Sequence, residues 1–147
     1  MNISDVLQTI MAYKDEHKLN SPASGMDIAT AIKGGFFIPR EYIEVLKSFN
    51  GGELFAPGTV LYGLTRSKCS MNVLNDIEVI NQFSIPSNYL IIGHLNFGDI
   101  ICINTEPPYD VIQWDHETDE EFYKWPDISA FLNEQVEDYL EYKEGNG

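Results

Sequence analysis

Apolar positions in this 147-residue chain repeat with two periods. Tyr42, Val45, Leu46 and Phe49 stand at i, i+3, i+4 and i+7, the spacing that puts side chains on one stripe of a helix. Pro39 suits a first helical position, where a missing N–H costs nothing. Glu41 falls in the first turn, where the helix dipole favours a carboxylate. Asn50-Gly51-Gly52 then stops the helix, and Gly51 can take the left-handed conformation of a C-terminal cap. These signals predict a central helix over 39–50. Ile3, Val6, Leu7 and Ile10 predict a first helix over 3–18, with His17 solvated among charges near its end. Leu19 to Gly25 reads as a loop. Asp27 caps a short helix over 28–33, Gly34-Gly35 ends it, and Phe36-Phe37 lead into Pro39. Met71, Leu74, Ile77 (or Val79) and Ile80 predict a helix over 71–83. A last helix, capped by Asp127 or Ser129, buries Ile128, Phe131, Leu132, Val136 (or Gln135) and Tyr139, and its end at Gly145-Asn146-Gly147 frays.

Between these stripes lie β-branched runs. Glu53 to Gly58 reads as a turn. Thr59 to Leu64 reads as a strand, with Gly63 marking a bulge. Tyr89 to Leu95 and Ile100 to Thr105 flank the turn Asn96-Phe97-Gly98-Asp99 and make a hairpin, with Gly98 at positive φ. Asp110 to Trp114 is a further strand, 117–121 a polar loop, and Phe122 to Trp125 an edge strand. Short turns between strands imply antiparallel pairing. The fold class is therefore α+β, a mainly antiparallel sheet of four to six strands with flanking helices, in one domain over 1–147.

Charge sharpens the picture. The net charge is −14. Residues 1–105 hold 10 acidic and 7 basic side chains, whereas residues 106–147 hold 13 and 2. A chain this acidic is unsuited to nucleic acid or to an anionic membrane surface; a basic protein partner fits the sign. No apolar run approaches the roughly 18 residues of a membrane span. Met1-Asn2-Ile3-Ser4-Asp5 does not read as a secretory leader. Cys69 and Cys102 form no CxxC pair and no zinc pattern, so two reduced thiols in a cytoplasmic protein are expected.

The aliphatic-Pro step at Ile38-Pro39, Tyr42, the Leu46 and Phe49 stripe and Asn50-Gly51-Gly52 together resemble the SUKH superfamily, which contains bacterial immunity proteins and Smi/Knr-type regulators of fungal cell-wall synthesis. Ile92-Gly93, Gly98-Asp99 and Ile100-Ile101 resemble that family's hairpin. Asp115-His116 resembles its strand end, and Ile128-Ser129-Ala130-Phe131-Leu132 its last helix. The glutamate common in the family's short helix is missing from Ile28-Ala29-Thr30-Ala31-Ile32. The resemblance implies a non-enzymatic binding module. Its first form is an immunity protein that occludes a cognate toxin, such as a nuclease, with a nucleic-acid-mimicking acidic surface. Its second is a regulatory scaffold in glucan synthesis or signalling, against which the compact chain speaks. A monomer or weak homodimer is expected.

Asp99, Asp110, Asp115, His116 and Glu117 also suit a divalent ion. A small metal-dependent hydrolase using Asp115 and His116 is the third reading. The spacing matches no HExxH or EF-hand pattern, and no GxSxG or phosphate loop occurs. Asp99 suits a turn and Asp115-His116 a strand end, so neither cofactor nor metal is expected. Aromatics beside acids suit a protein interface better. Candidate partner-binding residues are Tyr109, Asp110, Trp114, Asp115, His116, Glu117, Asp119, Glu120 and Glu121. The rival reading of Trp114 and of Trp125 is that each is core.

Overall fold

The computed structural model describes residues 2–35 and 37–146. Met1, Phe36 and Gly147 lie outside them. Among the described residues, five helices and seven strands follow in order: α1 (Ile3–Ala12), a 3-10 turn (Lys14–Glu16), β1 (Lys18–Leu19), α2 (Gly25–Lys33), α3 (Arg40–Ser48), β2 (Gly52–Leu54), β3 (Thr59–Leu61), α4 (Ile77–Ile80), β4 (Tyr89–His94), β5 (Ile100–Asn104), β6 (Val111–Asp115), β7 (Glu120–Trp125) and α5 (Ile128–Asn146). The strands form one antiparallel sheet in the order β1 to β7, so each pairs with its neighbour in sequence. The class is α+β. Two strands go beyond the five read from the sequence: the two-residue β1, where the first helix was read to end and a loop to begin, and β2, where a turn was read.

The sheet is covered on both faces. On one side α1, α3 and α5 bring Val6, Ile10, Tyr42, Val45, Leu46, Phe131 and Leu132 against Leu61, Ile92, Ile101, Ile103 and Val111. On the other, Tyr62 and Val79 from the segment between β3 and β4 pack on Ile91, Ile100, Cys102, Ile112 and Trp114. Burial on both faces explains why β4, β5 and β6 are nearly continuous apolar runs rather than alternating ones. Trp114 and Trp125 are both core. Cys69 and Cys102 are both free thiols.

The central helix starts one residue later than its proline, which stands at the N-cap, and it ends at Ser48 with Phe49 extended. Gly51 does have positive φ, 82°, but its role is close approach: a Cβ there would lie 2.5 Å from the Gly63 nitrogen. The Tyr42 hydroxyl, fully buried, donates to the carbonyls of Tyr62 at 2.5 Å and Ile92 at 3.3 Å. It thereby satisfies backbone where β4 bulges between Ile91 and Gly93. Glu41 reaches beyond its own helix. Its carboxylate accepts from the Ile128 nitrogen at 3.3 Å and the Ser129 hydroxyl at 2.5 Å, capping α5 together with Asp127, which accepts from the Ala130 nitrogen.

Five expectations need correction. α1 stops at Ala12, not residue 18, because the chain turns so that Lys18 and Leu19 can pair with β2. His17 is buried, not solvated: its Nε2 bonds the Ile10 carbonyl at 2.9 Å and its Nδ1 accepts from the Phe55 nitrogen at 2.9 Å. α2 is capped by Ser24, which accepts from the Asp27 nitrogen. The helix expected over 71–83 is reduced to α4, with Met71 and Ile77 exposed. The buried Asp76 carboxylate accounts for that. It accepts from the backbone of Val73 and Glu78, from Asn72 and from Arg66, which gives the local N–H groups partners outside a helix. α5 runs through Gly145 to Asn146, where fraying was expected.

Candidate partner-binding surface

The candidate residues divide between two ends of β6. Tyr109 and Asp110 lie in the loop before it, where the Tyr109 ring packs on Phe37 at 5.9 Å and the Asp110 carbonyl accepts from the Asn104 nitrogen. Trp114 to Glu121 lie at the other end, in the β6–β7 turn and its flanks.

Several of that second group hold the turn itself. Asp115 Oδ1 accepts from the Glu117 nitrogen at 2.8 Å and the Thr118 nitrogen at 3.2 Å. Asp119, at φ 56°, closes the turn; its Oδ1 accepts from the Trp114 indole at 2.9 Å and from the Ser84 nitrogen at 2.8 Å. Hydrogen bonds from Ser84, then from Trp114, keep the Asp119 carboxyl below the usual range. Trp114 is therefore buried and anchored rather than presented. Glu117 and Glu120 face solvent; Glu121, also exposed, hydrogen-bonds Tyr89 and lies 3.8 Å from Lys124.

Asp99, buried at the β4–β5 turn, ties this turn down. Its Oδ2 accepts from Gln113 at 2.7 Å, and its Oδ1 accepts from the His116 nitrogen at 3.1 Å and lies 2.6 Å from His116 Nδ1. The His116 ring lies over Gly98, whose φ is 106° as the hairpin requires, and a Cβ there would sit 3.2 Å from the ring. Burial works to raise the Asp99 carboxyl, but hydrogen bonds from Gln113 and His116 outweigh it and hold the carboxyl low. The hydrogen bond to Asp99, against some burial and helped by the charges of Asp99, Glu117 and Asp115, raises His116.

The sign of each linkage differs. Stability from the raised His116 is present below the unfolded histidine pKa of about 6.5 and is lost as pH rises through the folded value; stability from the lowered Asp99 is lost in acid. In Asp99→Asn, the His116 resonances are expected to titrate at lower pH than in the wild type. Unchanged NMR titration would mean that the pair is not ionic in solution.

Asp99, Asp115 and His116 also place ligand-type atoms within 4.8 Å of one another. In the fold these groups serve the turn: Nδ1 of His116 is bonded to Asp99, and Asp115 Oδ1 accepts from two turn amides.

Beside this turn, on the helix-bearing face, a cleft of about 790 Å³ opens between the β2–β3 turn, the β4–β5 turn and the C-terminal half of α5. Its walls come from segments far apart in the chain, so no local pattern announces it. Among the described residues, no helix is long and apolar enough to cross a membrane. In comparisons with known proteins, no curated protein matches the chain. A family model described as the SMI1 / KNR4 family (SUKH-1) matches residues 30–134, which span the sheet from β2 to β7, the central helix and the start of α5.

Proposed function

Because the chain belongs to the SMI1 / KNR4 family (SUKH-1), we propose that it is a non-enzymatic protein-binding module of the immunity type, taking a basic partner on its acidic surface. The partner proposed is a cognate toxin, a nuclease in particular, whose nucleic-acid site the carboxylates would cover. The observation that carries this is the division of labour in the β6–β7 turn. Asp99, Asp115 and Asp119 lock the backbone, while Glu117, Glu120 and Glu121 stand in solvent on that fixed frame. A charge pattern held by a rigid frame meets its complement with less ordering cost than a mobile one. The 13 acidic against 2 basic residues after position 105 extend the same sign onto α5.

The triple variant E117K/E120K/E121K spares the carboxylates that hold the turn. It is expected to melt close to the wild type, because exposed loop charges contribute little stability. Its association with the proposed cognate toxin is expected to slow and to lose salt dependence, and protection of cells making that toxin should fall. Full protection by the triple variant would remove the turn as the interface.

A further inference from the structure

The cleft beside the turn has a composition that selects its occupant. Among the described residues that line it, none is lysine, arginine or histidine, whereas Glu16, Glu134 and Asp138 all contribute carboxylates. Its floor is aromatic. The rings of Phe55 and Tyr139 stack at 4.3 Å with planes 27° apart, and Phe97, 59% exposed, overhangs from the β4–β5 turn. The acids are positioned. The Trp125 indole donates to Glu134 Oε2 at 2.9 Å, and Glu16 hydrogen-bonds the Tyr139 hydroxyl. Lys143, outside the lining, brings its ammonium to 5.8 Å from the Tyr139 ring centroid, so that ring already carries a cation of this chain.

We infer that this cleft receives an extended, arginine- or lysine-bearing segment of the partner protein. An arginine or lysine is apolar along its stem and cationic at its head. The stem matches Phe55 and Phe97; the head matches the carboxylates. The volume exceeds what one side chain fills, so a short stretch of chain is accommodated. A second copy of this chain, itself at net −14, is opposed by charge. The inference rests on the protein-binding reading but places the anchor in the cleft, not on the β6–β7 turn.

The test uses the intact protein and a hexa-arginine peptide at physiological ionic strength, followed by amide NMR shifts and by calorimetry. The expected shifts centre on Phe55 to Thr59, Phe97 and Gln135 to Tyr142. Asp138→Lys with Phe97→Ser, both surface changes, should weaken binding at least about fivefold, as loss of an anchor does. E117K/E120K/E121K should weaken it less, although it removes more negative charge. A larger loss in that triple variant, or shifts confined to the turn, would overturn the cleft while leaving the turn interface standing. Shifts at the cleft that follow protein concentration without peptide would identify a second copy as the occupant and overturn the inference equally. If the peptide fills the cleft while the triple variant still protects cells fully, the cleft stands and the turn interface falls.

Discussion

Asp76→Ala is expected to destabilise the protein by about 2–4 kcal/mol: a buried donor left without its acceptor costs about 1–3 kcal/mol, and several are left here. Asp76 is 1% exposed, and its two oxygens accept from two backbone amides, from Asn72 and from Arg66. Removing it leaves those donors without their acceptor, in a segment with only one turn of α-helix of its own. The Arg66 contact adds little, since that side chain is half exposed. Burial opposes the ionised form, but the hydrogen bonds from Val73, Glu78 and Asn72, with the Arg66 charge, outweigh it and lower the carboxyl. The sign follows: this stability is present above the unfolded carboxylate pKa of about 4 and is lost as pH falls through the lower folded value. Urea melts of wild type and variant should therefore differ most near neutral pH and converge in acid. Equal melts at pH 7 would show that the segment does not depend on Asp76.

Leu46→Ala carries the second large effect, about 2–5 kcal/mol, as for other buried leucines. Its side chain is fully buried between the central helix and the sheet, and its carbonyl accepts from the Ala23 nitrogen at 2.8 Å, which fixes the chain just before α2. The cavity would open where three helices meet one sheet face, so collapse around it is limited. Thermal melting within error of the wild type would mean that Leu46 is not core.

Periodicity revealed what local chemistry controls. The stripe of α3, the β4–β5 hairpin with its left-handed Gly98 and the inner face of α5 were all legible, because each is a short-range pattern with one buried side. The segment 71–83 misled for a physical reason. Met71, Leu74, Ile77 and Ile80 recur every three residues, close to the helical period, but Asp76 diverts the amides around it. His17 misled because its partners, Ile10 and Phe55, are brought together only by the fold. The acidic stretch 115–121 was legible as charge but not as roles. That Asp119 holds Trp114, and that Asp99 reaches across to His116, depends on strand register. The cleft was invisible for the same reason: Glu16, Phe97 and Asp138 are neighbours only after folding.

The sequential order of the sheet bears on how the chain assembles. Every strand docks on the one made just before it, and two excursions, 20–51 and 62–88, separate partners widely. Loop closure therefore costs little at most steps, and a growing chain can add strands one at a time as they emerge. α1 is different. It packs on α3, made soon after it, and on α5, which begins at Ile128, so part of its apolar stripe waits through synthesis of the whole sheet for its cover. Val6, Leu7 and Ile10 thus offer holdase chaperones a half-covered surface during translation.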